Sequence, residues 1–319
     1  MNLIHRLLLL LFLIVFIITT SQYVMASTTY SVKQVWTFKN WNNYINDTSD
    51  DTSAWRKAWG IPPNSTEGWI WPSGRGTDYN NHRVVDDPAV IIPIGEEESR
   101  GVEKVLQITY PKGSINPKGT LGPQGGIGFY AEPIVLHEQA KFAIFEYQVY
   151  FPKDFDFVLG GKLPGLYGGR PAEICSGGVH TDICFSTRTM WRREGDGELY
   201  AYVPEDQQRN DLCEQQGVFC DATYGYSLGR GAWTFKTGEW IKVKQSLYLN
   251  QPGKTNGKIK LSVDGKKVYA LKDLLFVSEN ADPALRIAFH TFFGGSKIEW
   301  AATKDEYTYF KDISLKIYY

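Results

Sequence analysis

The chain has 319 residues, with 34 Lys and Arg against 35 Asp and Glu for a formal net charge of −1. A balance so close to zero argues against nucleic acid as a partner, which would call for a strongly basic surface. Ten Trp, 19 Tyr, 17 Phe and 31 Gly, with no long segment of 3.6-residue apolar period, favour strands and loops over helices. The length is large for one domain but within the range of a single all-β sandwich, and no repeat, low-complexity tract or linker divides it.

At the N-terminus Arg6 precedes an unbroken apolar run from Leu7 to Ile18. That is too short to span a bilayer, which takes about 20 residues. Val24-Met25-Ala26 is a small-residue cleavage signal, so the expectation is a signal peptide removed after Ala26. The product would be a secreted, extracellular protein free of the membrane, a single domain from 27 to 319. Residues 27 to 90 read as loop-rich, with a first strand at Val35 to Phe38. Asn46-Asp47-Thr48 and Asn64-Ser65-Thr66 are glycosylation acceptors in a secreted chain. Trp55, Trp59, Trp69 and Trp71 line either a sugar-binding surface or, the preferred reading, a flap packed on the core.

Val102 to Tyr110 alternates as a strand. In Gly122-Pro123-Gln124-Gly125-Gly126 the glycines permit close approach of a backbone. Gln124 there is either an ordinary turn residue or an amide donor to a substrate carboxylate. Phe142 to Phe151 is a further strand, with Phe142, Ile144, Glu146 and Gln148 on one face and Phe145, Tyr147 and Val149 on the other.

The most informative stretch runs from Gly160 to Tyr202. It sets Lys162 among five glycines, in a stretch read as a loop. It is no phosphate loop, because Leu163 rather than Ser or Thr follows the lysine. Beyond it a hairpin carries Ser186 and Arg188 on one strand and Tyr200 and Tyr202 on the other, each pair sharing a face. A three-residue turn, Gly195 to Gly197 with Gly197 left-handed, pairs Arg192 with Tyr200 and Met190 with Tyr202. A tight Asp196-Gly197 turn would slip the register by one and reverse the face of Arg188.

Cys175, Cys184, Cys213 and Cys220 imply disulfides in a secreted chain, with three possible connectivities. Their spacing does not match the Cys-x₂₋₄-Cys of a zinc site. Residues 207 to 232 read as a polar, Gly-rich excursion. Trp240 to Leu249, Lys258 to Val263 and Lys266 to Leu271 are strands, the last two joined by an Asp264-Gly265 turn. Arg286 to Phe293 and Thr308 to Tyr318 complete the set. His290 shares a face with Ala288 and Phe292, as either a core group or a group facing the cleft. The five histidines show no metal-ligand spacing and no acidic calcium loop is present, so no metal and no other cofactor is expected.

Gly-Gly-Lys162-Leu-Pro-Gly-Leu, Ser186-x-Arg188 and Tyr200-x-Tyr202 resemble polysaccharide lyase family 14, the alginate and glucuronan lyases. Thr291-Phe292-Phe293-Gly294-Gly295-Ser296 and Tyr309-Phe310-Lys311-Asp312 are similar to the family's closing strands. Together these cover about residues 100 to 317. The resemblance implies an all-β jelly-roll sandwich of two antiparallel sheets with a concave cleft, cleaving an acidic polysaccharide by β-elimination without a metal. The cysteine placement resembles that of secreted fungal-type members, which favours the local pairs Cys175–Cys184 and Cys213–Cys220. The family match also makes Lys162 a catalytic or substrate-binding lysine.

β-Elimination on a 4-linked uronate has three tasks. A cation must neutralise the carboxylate, a base must take the C5 proton, and an acid must protonate O4. Arg188 suits the first with its planar fork, with Ser186, Gln124 and His290 as further substrate contacts. Tyr200 and Tyr202 suit base and acid if Arg188 and Lys162 lower a phenol pKa, and the rate would then rise into mildly alkaline conditions. Lys162 is the alternative base. Two rivals remain. Glycoside hydrolysis needs two carboxylates flanking the bond, and no Glu-x-Asp-x-x-Glu run exists to supply them. A non-catalytic, lectin-like binding protein fits the aromatics but leaves Lys162, Arg188 and the two phenols unexplained. The protein is expected to act as a monomer.

Overall fold

Sixteen strands appear among the described residues. In chain order they are β1 Val32–Phe38, β2 Trp69–Trp71, β3 His82–Asp86, β4 Lys104–Tyr110, β5 Ile127–Ala131, β6 Phe142–Tyr150, β7 Gly160–Gly168, β8 Phe185–Arg192, β9 Gly197–Tyr202, β10 Val218–Asp221, β11 Gly225–Leu228, β12 Trp240–Tyr248, β13 Gly257–Val263, β14 Lys266–Leu274, β15 Leu285–Phe293 and β16 Glu306–Tyr318. The computed structural model describes residues 32–39, 41–44, 54–62, 68–71, 81–90, 101–136, 140–169, 175–179, 181–221, 223–279 and 284–319. The signal segment, both glycosylation acceptors, His5, His137, His180 and the Trp69 side chain lie outside the described residues.

The strands form two antiparallel sheets of eight, stacked as a jelly-roll sandwich. One sheet runs β14-β13-β12-β6-β16-β4-β3, with β1 also paired to β16. The other runs β10-β11-β9-β8-β7-β15-β5-β2. Alternation decides which side chains fill the space between them. On β6, Phe145, Tyr147 and Val149 are wholly buried toward the second sheet. Phe310 of β16 meets Phe289 of β15 at 5.0 Å across the sandwich, and Tyr147 and Thr189 share a 2.5 Å hydroxyl contact. Burying each such aromatic contributes on the order of 1.5–3 kcal/mol. Trp55 and Trp59 belong to this core, packing on Phe129, while Trp59 also meets Phe289. The packing expectation holds for those two tryptophans.

Three expectations change. Gly160 to Gly168 is not a loop but a central strand, buried at every position. Its glycines make room for rings. A Cβ on Gly161 would lie 2.1 Å from the Trp191 ring, and one on Gly168 2.1 Å from Phe185. Pro164 lacks an N–H and sits in mid-sheet only because both ladders slip between Lys162 and Gly165, a bulge that leaves the site unpaired.

The β8–β9 hairpin has a longer turn than expected. Trp191 pairs with Gly197, and Glu194 and Gly195 take the left-handed conformations, with φ of 60° and 84°. Gly197 is instead a packing glycine, since a Cβ there would meet the Trp233 ring at 2.0 Å. Arg188 therefore pairs with Tyr200 and Ser186 with Tyr202. The displacement is even, so the faces are unchanged.

The excursion at 207 to 232 contains two short strands, β10 and β11, which extend the second sheet and are tied down by Cys213–Cys220. Both local disulfides are formed. The Asp264-Gly265 turn is as expected, with φ of 48° and 78°.

Candidate active site

The outer face of the second sheet is concave and holds a cleft of about 780 Å³. Its floor is set by parity. On β8 the side chains of Arg188, Met190 and Arg192 face it, on β9 those of Tyr200 and Tyr202, and on β7 that of Lys162. Trp71, Tyr130 and His290 from β2, β5 and β15 close one end, together with Lys118 from the loop after β4.

Lys162 lies opposite Met190. Its Nζ touches the Met190 sulfur and stands 3.8 Å from the centre of the Tyr200 ring. Burial, then the charges of Arg188 and Arg192, push its amine well below the usual lysine range, with Glu198 opposing. Removing an ammonium from water while two guanidiniums stand nearby favours the neutral amine.

Arg188 is 3% exposed. Its Nη1 donates to Nδ1 of His290 at 3.2 Å, and its carbon Cζ stands 5.5 Å from the Tyr202 ring. Burial, Arg188 and Lys118 hold His290 well below its usual range, so the imidazole is neutral. With Nδ1 accepting, Nε2 carries the proton. The ring packs against Trp71 at 5.0 Å and Tyr130 at 4.9 Å. Nε and Nη2 of Arg188 and Nε2 of His290 are buried with no hydrogen-bond partner among the described residues. Buried donors left unsatisfied cost about 1–3 kcal/mol each, more when charged, so three in one place mark a site that awaits acceptors.

Both phenols have raised pKa values rather than the lowered ones expected. Burial raises Tyr200 first, with Tyr202, Asp221 and Glu198 adding to it and Arg192 opposing. Burial also raises Tyr202, with Arg188 opposing. Desolvation of a phenolate outweighs the cations here, and burial biases Lys162, expected to help, toward its uncharged form. The arrangement thus sets an amine biased toward the neutral form beside two phenols biased toward the protonated form.

Two expected contacts lie elsewhere. Ser186 does not line the cleft; its hydroxyl donates to the Cys175 carbonyl at 2.7 Å, behind Tyr202. Gln124 does not line it either, and its amide donates to the Pro117 carbonyl at 2.8 Å, bracing the loop that carries Lys118. His290 does face the cleft. Met190, Arg192 and Glu198 were legible, since they share strand parity with Arg188 and Tyr200. Trp71 was weighed only as one of four tryptophans. Lys118, Tyr130 and Arg230 carried no local signal. Among the described residues, no group of three or more His, Cys, Asp or Glu could hold a metal ion.

A family profile described as Polysaccharide lyase 14 matches residues 98–313. The fold is similar to the marine PL-14 alginate lyase from Aplysia kurodai, at 35% identity and a TM-score of 0.61, covering 74% of this chain and 86% of that one. It is also similar to the alginate lyase vAL-1 from Chlorella virus, at 26% identity and a TM-score of 0.55, covering 69% and 87%. Exolysin of Paramecium bursaria Chlorella virus 1 is 26% identical over 171 residues, or 48% of this chain. That match spans only 26% of exolysin's length.

Proposed function

The chain belongs to polysaccharide lyase family 14, and from that premise we propose that it cleaves a 4-linked polyuronate, alginate first among them, by β-elimination. The observation that carries this reading is the trio of buried, unpartnered nitrogens on Arg188 and His290. A uronate carboxylate offers them acceptors and a negative charge in one planar group. Alginate is placed before glucuronan because the two solved structures described above are alginate lyases.

The residues divide the work as follows. Arg188 and His290 hold the carboxylate and draw charge away from C5. The neutral Lys162 amine takes the C5 proton. The electron pair of the C5–H bond becomes the C4–C5 double bond, and the C4–O4 bond breaks. A phenol, Tyr202 or Tyr200, gives its proton to O4. Ser186 and Gln124 act one step back, holding the strand behind Tyr202 and the loop of Lys118. We place the enzyme outside the cell as a monomer, with its leader removed after Ala26.

The test is incubation of purified protein with alginate, glucuronan and a neutral glucan. The elimination product is a conjugated unsaturated uronate with its own ultraviolet absorbance. Absorbance that grows with a polyuronate and not with the glucan is expected. Binding without any rise in absorbance would favour the lectin-like reading.

A further inference from the structure

The proposed chemistry uses the centre of the cleft and its His290 end. The opposite end holds a second cationic group that takes no direct part in the reaction. Glu198 on β9 is wholly buried, and three side chains donate to it. Arg192 Nε reaches Oε1 at 2.8 Å, Arg230 Nε reaches Oε2 at 2.7 Å, and the Ser227 hydroxyl reaches Oε2 at 2.6 Å. Burial alone would raise this carboxyl, yet the two guanidiniums and Ser227 hold it below the ordinary range. Two arginines against one carboxylate leave one net positive charge.

That charge is presented to the cleft. Arg192 and Arg230 both line it, and the Arg230 side chain is 45% exposed. Its terminal nitrogens make no hydrogen bond among the described residues. Two aromatic rings wall the same end. Phe219 on β10 is 59% exposed, with Arg230 Cζ 5.7 Å from its ring, and Trp300 stands 5.8 Å from Arg192 Cζ. Each ring offers a flat apolar face to the cleft on which a ligand can pack. The apolar face of a pyranose fits there, and a guanidinium beside it suits a uronate carboxylate.

We infer that Arg192, Arg230, Phe219 and Trp300 form a second uronate subsite, with Glu198 and Ser227 fixing the guanidiniums. Arg188 and Arg192 are four residues apart on one strand, about 13 Å along it. That is too far to share one carboxylate, so the second subsite takes a different sugar of the same polymer. The inference rests on the reading of this cleft as a polyuronate site, and it makes chain length a determinant of affinity.

The experiment is calorimetric titration of alginate oligosaccharides of increasing length into Lys162→Ala protein, which does not cut them. The same titrations follow with Arg230→Gln or Phe219→Ala added, after thermal melts show that all three fold alike. Affinity should rise with length in the Lys162→Ala protein. Each added change should remove that gain, on the order of tenfold, while leaving the shortest ligand's affinity as it was. An unchanged length dependence in both, or no length dependence at the outset, overturns the subsite. Absorbance assays on the parent protein decide the lyase reading separately. Activity with no subsite effect sinks only the subsite, and a subsite effect without activity sinks only the lyase.

Discussion

At Arg188 a charged group sits buried with two of its donor nitrogens unused, and the first prediction follows from that. Arg188→Ala should lower kcat/KM on polyuronate on the order of 10²–10³-fold or more, the scale of losing a preorganised charge contact. Arg188→Lys should recover little of it, because an ammonium cannot reproduce the two-pronged contact. Activity within a few-fold of the parent would remove Arg188 from the reaction. The second prediction concerns pH. With Lys162 as the proposed base in its neutral form, the rate should be lost as pH falls through its pKa and retained above it. That pKa is depressed, which puts the acid limb far below the ordinary lysine range. A bound carboxylate adds negative charge and favours the ammonium, so the limb of kcat should lie at higher pH than that of kcat/KM. The phenols must stay protonated, and their raised values keep them so well into alkaline conditions. Tyr202→Phe or Tyr200→Phe should lower kcat and keep the acid limb. An acid limb that vanished with a phenol would return the base to tyrosine.

β7 is anchored on its core side by the buried Leu163 and Leu166, and its glycines there leave room for two rings. Trp191 lies over Gly161, and Phe185 over Gly168. Gly161→Ala should therefore destabilise the protein by about 1–3 kcal/mol, the cost of overpacking a filled core. Denaturant unfolding measures this directly. A loss within error of zero would mean that the Trp191 ring moves aside freely. β10 depends on a different device. Its outer wall, with Phe219, is held by the short Cys213–Cys220 loop. Replacing both cysteines with Ser should raise KM for a long polyuronate several-fold while changing kcat less, because it loosens a wall and leaves the β7–β9 floor intact. Equal loss in kcat would show that the wall also shapes the reacting centre.

For the whole molecule, the net charge of −1 conceals a sharp division. The cleft gathers Lys118, Arg188, Arg192 and Arg230, with Asp221 the one carboxylate that lines it among the described residues. A cationic cleft in a near-neutral protein draws a polyanion to one place, and this attraction weakens with salt. Raising ionic strength should increase KM for polymer more than it lowers kcat. The same grouping supplies the carboxylate neutralisation that a bound cation would otherwise give. Chelator treatment is accordingly expected to leave activity intact, and loss with recovery on added calcium would overturn this.

Strand alternation was legible from the sequence because its period of two depends only on local backbone geometry. It paired Ser186 with Arg188 and Tyr200 with Tyr202; bringing Arg188 to the face of the tyrosines also needed the three-residue turn, and because that register was off by an even number the placement survived. On β6 it sorted Phe142, Ile144, Glu146 and Gln148 from the buried Phe145, Tyr147 and Val149. The glycines misled for a physical reason. Gly161 and Gly197 serve rings that arrive from other strands, and a lone sequence cannot distinguish a glycine that turns from one that makes room. Tertiary structure alone brought His290 of β15, Lys118 and Arg230 to the cleft, since each comes from a distant part of the chain. It also decided the protonation of Lys162, Tyr200 and Tyr202. A pKa answers to burial and to charges across strands, and neither exists until the sheet has formed.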